Sequence, residues 1–414
     1  MTKYKNRWPF VLIAGVFTAH CLMAFLPSIN LEFAFVDAAR YFQIGDRSLI
    51  DQYFRLQANT LGLPYFSWLA SVVFPNLSML TVIRLLSASG IILLGIAVLN
   101  FCRYLNRNDS IGLLIVILLN PLVWTFSARA TADFLPAALG IFAISLVLLP
   151  RKTTFHIVCT GILLGIAAIL KYHAIFLLLV LAPCLWDEKS KHFDAKSFLI
   201  ISGISTTLLA IFLIIIHENF GFWVAPPVYQ SIHGLNFGGL LNNFFLYIGY
   251  LILLCAPLSL VFPEWKSFFL KNRFLMIAGP VFIFFLGYIG FQDGGELNLG
   301  PLDRFVNKNV MAGVFLLLSS LFLIPLISKS ENKNIKRFNL LLALAILGII
   351  VVFSLTRPAQ RYLLIVLPFF FFLIPTKVLG NKKVFVCSIL LYALINLFIG
   401  YSQWCTGVIP PQVN

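Results

Sequence analysis

The chain has 414 residues, 60% of them hydrophobic and 11% charged, and Lys and Arg outnumber Asp and Glu by 30 to 15. About a quarter of the residues of an average soluble domain are charged. This composition, with a mean hydropathy of +0.95, therefore excludes a soluble globular chain and defines a polytopic membrane protein with almost no soluble part. The net charge of +15 is read as the bias of cytoplasmic loops toward Lys and Arg rather than as a nucleic-acid footprint.

Apolar runs predict spans at 8–26, 78–101, 110–128, 132–149, 154–172, 173–186, 197–216, 243–262, 274–290, 309–328, 338–356, 361–377 and 384–402, thirteen in all. The first run lacks a small-residue cleavage site and is read as a span rather than a signal peptide. The apolar stretch 61–75 is too short to cross comfortably and is read as a helix lying at the interface. With the N-terminus inside, two thirds of the 30 basic residues then fall on inner segments. Letting 61–75 cross would put the basic loops outside, against that bias. Outer loops 217–242 and 291–308 are long and contain Gly, which suits a cover over a site. Six of the seven cysteines lie in or beside apolar runs, so neither a disulfide framework nor a metal spacing is expected.

Few cations remain on the outer side. Arg84 lies about one turn into the second span. Arg129 and Asp133 flank the next outer hairpin, in SARATADF. Lys171 ends the fifth span, in AILKYHAIF, and Arg357 and Arg361 stand in LTRPAQRYLLIVLP. Just after the first span comes FVDAARYF, with Asp37, Arg40 and Tyr41. Ionisable groups at such depth are costly and need partners. Guanidinium and ammonium groups there suit a lipid phosphate, and they would stabilise charge that develops on a departing phosphate. A sugar on a lipid phosphate already has a good leaving group, so its transfer needs only a base for the acceptor hydroxyl. Each residue also has a plainer reading. A single Arg or Lys can snorkel. Asp37 can cap a helix, and Asp133 can cap the fourth span or pair with Arg129. His173, His217 and His233 are read as interfacial. No His, Cys and Asp grouping has metal-ligand spacing, no motif supports a divalent ion, and no Gly-rich nucleotide loop occurs.

Taken in order, five segments resemble the GT-C superfamily of integral-membrane glycosyltransferases, in particular its protein mannosyltransferase and aminoarabinose transferase-like branch. They are VDAARYF, LPYFSWLASVVFPNLSMLTVIRLLSA, NPLVWTFSARATADFLPAALG, GILLGIAAILKYHAIF and QRYLLIVLP. The resemblance covers 1–185 and 355–376. It implies an all-α GT-C fold whose 1–185 form the catalytic-type membrane module, with 186–414 adding helices to a single integrated membrane domain. It also implies a polyprenyl-phosphate sugar donor. By that likeness Asp37 takes the place of the catalytic acid and Asp133 that of the second acid, while Lys171 and Arg361 lie where donor phosphate is expected. Arg84 and Arg357 join them as phosphate candidates, and Arg40, Tyr41, Arg129, Tyr172 and Tyr362 as substrate contacts. Ala38 follows Asp37 where the family often has a second acid, which leaves one base there.

The expectation is thus an inverting glycosyltransferase acting on the extracytoplasmic face of a bacterial inner membrane. It would move a sugar to a lipid or glycan acceptor, with membrane lipids and no nucleic acid as partners. The alternative is a transporter or flippase for a lipid-linked or anionic solute, which should hold its charges near the midplane in discontinuous helices within repeated halves. No internal repeat is visible.

Overall fold

The computed structural model describes residues 7–26, 33–57, 61–187, 192–224, 237–259, 333–356, 359–374 and 382–405, with 235, 273, 277, 278, 281 and 376 between them. The expected spans at 274–290 and 309–328, and the loop at 291–308, lie essentially outside the described residues. What is described is helical except for one small hairpin, in which Trp186 pairs with Phe193 and Asp187 with His192. Two compact units divide the chain, Met1–Leu118 with Leu122–His233, and Leu119–Pro121 with Gly234–Asn414.

The first unit opens with α1 (Trp8–Met23), α2 (Phe33–Ile44), α3 (Arg47–Gln57) and α4 (Gly62–Val73). Next comes α5 (Met79–Tyr104), started by Ser78, whose hydroxyl accepts from the Thr81 N–H at 3.1 Å. At 26 residues α5 is about 39 Å long and spans with length to spare. The expected span 110–128 is a broken one. Its halves α6 (Ser110–Leu118) and α7 (Pro121–Ser127) meet at 61°, and Pro121 accounts for the break because it has no N–H to give.

Next come α8 (Phe134–Leu146), α9 (Thr154–Leu170), a 3-10 segment (Tyr172–Leu177) and α10 (Leu178–Cys184). A capping box between Thr153 and His156 starts α9. The expected span 173–186 is therefore not one regular helix. Its 3-10 half rises about 2.0 Å per residue rather than 1.5 Å, so a short segment gains reach on its way back across the layer. The 26-residue α11 (Ala195–Phe220) is capped at its start by Asp194, which accepts from the Ser197 N–H at 3.0 Å. It is closed by Gly221 in the left-handed region, φ +78°, where a side chain would be strained.

Glycines set the packing of α9 on α11. A Cβ on Gly161 would come within 2.9 Å of Ile204, and one on Gly165 within 2.8 Å of Leu208. The matching order of these contacts means that the two helices run in the same direction. Their starts lie at one end, where Lys152 pairs with Asp194. Their far ends lie with Lys171, which pairs with Asp133 at the start of α8. Arg47 on α3 donates to the Asn219 side chain at 3.0 Å, so the first outer loop meets the far end of α11. Lys152 and Asp194 thus share one end of this unit, and Arg47, Asp133, Lys171 and Asn219 lie at the other.

The second unit holds α12 (Leu240–Ser259), α13 (Lys333–Ser354), a 3-10 segment (Gln360–Ile365), α14 (Leu367–Phe372) and α15 (Lys382–Cys405). The expected span 361–377 is again a 3-10 piece followed by a short helix. Leu119–Pro121 belong here too: Asn396 donates to the Leu119 carbonyl at 2.9 Å, and Asn120 to the Leu254 carbonyl at 3.1 Å.

By length and hydropathy, α5, α11 and residues 337–354 of α13 qualify as membrane-crossing helices, as does the bent α6–α7 pair taken as one. Shorter apolar helices include α1, α8 and α9. Many large apolar side chains stay exposed along α1, α4, α11 and α15, a surface that suits lipid and not water.

Candidate functional site

One end of the first unit gathers six of the charged residues that the sequence singles out, Asp37, Arg40, Arg84, Arg129, Asp133 and Lys171. A buried apolar cluster there contains Val36, Ala39, Leu63, Ile83, Ala130, Ala132 and Leu170. Each candidate is the chain neighbour of one of these: Asp37 of Val36, Arg40 of Ala39, Arg84 of Ile83, Arg129 of Ala130, Asp133 of Ala132, and Lys171 of Leu170. Segments as far apart in the chain as α2, the start of α5, the 128–133 hairpin and the end of α9 thus converge on one apolar floor.

Asp37 lies in the second turn of α2 and not at its start, so it is not a helix cap. Its carboxylate is 43% exposed and lies 3.7 Å from the Arg40 guanidinium, one turn on. The flanking Val36 and Ala38 are buried, so the helix turns its apolar face inward and leaves Asp37 reachable. Tyr41 packs, partly buried, against a second cluster of Ala38, Leu61, Ile216 and Phe222, which joins α2 to the end of α11.

Asp133 stands at the N-cap position of α8 yet makes no side-chain bond to the helix start. Its Oδ1 lies 3.6 Å from the Lys171 ammonium instead, with the two side chains 2% and 13% exposed. Taking both charges out of water costs several kcal/mol per ion. A pair held at that cost is weak evidence for stability and stronger evidence for a task. Lys171 itself sits where α9 stops. Its backbone is extended, at φ −153° and ψ 114°, between the last α-helical turn and the 3-10 segment. The next residue, Tyr172, has a buried phenol oxygen with no hydrogen-bond partner among the described residues. Such a group costs about 1–3 kcal/mol until a partner reaches it.

The other cations are held more deeply. Arg84 is fully buried in α5, and its Nη1 donates to the Leu26 carbonyl at 2.5 Å, which ties the end of α1 to α5. Arg129 is 1% exposed, with its guanidinium 5.4 Å from the centre of the Phe126 ring. Among the described residues no group of three or more His, Cys, Asp or Glu side chains could hold a metal ion.

Arg361 and Tyr362 belong to the second unit, in the first turn of its 3-10 segment. The Arg361 guanidinium lies 6.0 Å from the centre of the Tyr362 ring. Arg357 and His233 lie outside the described residues. Asn243 and Tyr247, which hold the backbone just before Arg361, were not singled out from the sequence. An amide at the head of an apolar run is the signal that could have found Asn243, because a buried amide must find carbonyl acceptors.

The helices and their hydropathy define an α-helical integral membrane protein. No protein-family profile matches the chain, and no curated protein matches it in sequence. Among solved structures its fold is similar to that of ArnT from Cupriavidus metallidurans. Against the apo form the TM-score is 0.44 and the identity 14%, covering 95% of this chain and 77% of that one. Against ArnT bound to undecaprenyl phosphate the TM-score is 0.44 and the identity 13%, covering 96% and 80%.

Proposed function

We propose that the chain is a membrane glycosyltransferase that moves a sugar from a polyprenyl-phosphate donor to a lipid or glycan acceptor on the extracytoplasmic face, with inversion. The observation that supports this reading is that the segments bearing Asp37, a reachable carboxylate, and Lys171, a buried ammonium, pack through their neighbours Val36 and Leu170 on one apolar cluster. In the reaction the acceptor hydroxyl attacks the anomeric carbon and the bond from that carbon to the phosphate oxygen breaks. The hydroxyl proton goes to Asp37, and the electron pair leaves with the lipid phosphate. Lys171 faces the negative charge as it grows, and Asp133 holds that ammonium in place. Tyr172 offers its phenol to the substrate. Arg84 and Arg129 lend positive potential from beneath, and Arg40 and Tyr41 bound the acceptor side. Arg357 and Arg361 are further phosphate cations in the same reading.

A transporter is less well supported, because the sequence shows no internal repeat. The test is Asp37→Asn, assayed for product with a panel of defined polyprenyl-phosphate sugars. Asn keeps the size and hydrogen bonding of Asp but takes no proton at neutral pH. Turnover should fall at least about a hundredfold, within the range of general-base catalysis, while donor binding stays intact. Wild-type turnover by Asp37→Asn would move the search for the base to Asp133 or Glu32.

A further inference from the structure

We infer that Asn243 and Tyr247 are positioning residues for Arg361, which they hold through the backbone of the segment that leads into it. The inference rests on the reading of Arg361 as a lipid-phosphate ligand, and it concerns the second unit alone.

The two residues lie four apart on α12 and so share one face. Both are buried, Asn243 at 6% and Tyr247 at 1% exposure. The Asn243 amide nitrogen donates to the Ser354 carbonyl and to the Thr356 carbonyl, each at 3.0 Å. Ser354 is the last residue of α13, and a helix leaves its final carbonyls without partners inside the helix. One amide therefore closes α13 and fixes the first step of the chain beyond it. A turn further along, the Tyr247 phenol oxygen accepts from the Ala359 N–H at 2.9 Å. Ala359 is extended, at φ −138° and ψ 122°, and its carbonyl accepts from the Tyr362 N–H at 3.0 Å. The peptide groups on either side of Ala359 are thus both fixed, one by α12 and one by the 3-10 turn.

Aromatic contacts complete the clasp. Phe353 packs at 6.3 Å from Tyr247 and at 5.4 Å from Tyr362, over whose ring the Arg361 guanidinium lies. Arg361 has a long, flexible side chain, and its reach depends on where the 3-10 turn begins. A hydrogen bond to the peptide before that turn, and tilted ring contacts behind it, fix that origin. Neither Asn243 nor Tyr247 offers a charge of its own; Tyr247 acts on a ligand only through the Ala359–Tyr362 backbone, and Asn243 through the Ser354 and Thr356 carbonyls before it.

The experiment uses the full-length protein in lipid nanodiscs, with farnesyl phosphate as the probe and farnesol as its uncharged counterpart. Tyr247→Phe removes the hydroxyl, and with it the acceptor for the Ala359 N–H, while keeping the ring. It should weaken farnesyl phosphate binding about threefold to tenfold, the worth of one neutral hydrogen bond, and leave farnesol binding unchanged. Asn243→Asp, which removes both donors, should weaken it at least as much, and Asn243→Gln should recover part of the loss. Arg361→Ala should remove most of the preference for farnesyl phosphate over farnesol. Adding Tyr247→Phe to Arg361→Ala should then cost nothing further, since the phenol acts through the guanidinium. If Arg361→Ala weakens the probe but Tyr247→Phe does not, or if the two losses add, the positioning role is overturned while the phosphate reading stands. If Arg361→Ala leaves the preference intact, the phosphate reading of Arg361 falls and this inference falls with it.

Discussion

The Lys171–Asp133 pair offers a way to separate a structural ion pair from a functional one. Replacing Lys171 with Met removes the ammonium beside the Asp133 carboxylate, which is 2% exposed. Breaking a buried pair from one side typically costs about 3–5 kcal/mol. For a unit of this size that corresponds to a fall in thermal midpoint of about 6–20 °C. Replacing both residues, as Lys171→Met with Asp133→Asn, removes both charges and should restore most of that loss, because neutral replacements of a buried pair are often close to neutral in stability. Ligand binding should not follow stability. An ammonium bonded to a phosphate contributes about 1.5–3 kcal/mol, or roughly tenfold to a hundredfold in affinity. The double variant should therefore melt near the wild type yet bind farnesyl phosphate about tenfold to a hundredfold more weakly, with farnesol unaffected. Thermal unfolding and probe titration in nanodiscs measure the two quantities on one sample. Wild-type affinity in a stable double variant would refute the argument and reduce the pair to glue between α8 and α9.

Gly62 opens α4 against the end of α9, and a Cβ there would lie 2.3 Å from the Ile169 carbonyl oxygen. Gly62→Ala must push α4 off α9, so thermal unfolding should show a loss of about 1–3 kcal/mol; an unchanged midpoint would mean that the contact is looser than described. At the opposite end of α9, burial pulls the Asp194 carboxyl upward, and hydrogen bonds from Lys152 and Ser197 more than reverse it, to about 2 from an ordinary 3.8. A depressed folded value stabilises above 3.8 and is lost as pH falls toward 2. With the side chain 39% exposed, screening leaves about 1 kcal/mol. Lys152→Met should remove part of that fall in stability across this window, the Ser197 bonds keeping the rest, and an unchanged acid profile would deny the pair any weight. Single cysteines at Ser48 and Ser190 should label from opposite faces of sealed vesicles, and labelling from the same face would overturn the topology.

Legibility from sequence followed the physics of each feature. The long apolar runs that became α5 and α11 were visible within a few residues, because a chain that long and that apolar satisfies its backbone in lipid by closing its hydrogen bonds along a helix. The stretch 61–75, read as too short to cross, forms the 12-residue helix α4. The breaks were harder. Nothing in NPLVWTFS beyond Pro121 announces a 61° bend, and the 3-10 starts at Tyr172 and Gln360 look in sequence like ordinary helix. At the site, charge in apolar surroundings drew attention to Asp37, Asp133 and Lys171. Charge alone left open whether Asp133 caps α8 or finds a cation, and only the fold brings Lys171 to it. Tyr247 was beyond reach, since an aromatic in an apolar run gives no sign that its hydroxyl meets a backbone amide far along the chain.

The 17 residues of α9 stand between two charge pairs, Lys152 with Asp194 at one end and Lys171 with Asp133 at the other. One residue inserted between them would turn Lys171 about 100° around the axis and move it about 1.5 Å outward. Substitution along this stretch can be gradual, side chain by side chain. A change in length cannot, because either pair keeps its geometry only when the other gives its own up. The residue count of α9 is then a heritable trait in its own right. Descendants of this gene should keep Gly161 and Gly165, vary in the other letters between Thr154 and Leu170, and agree on how many there are.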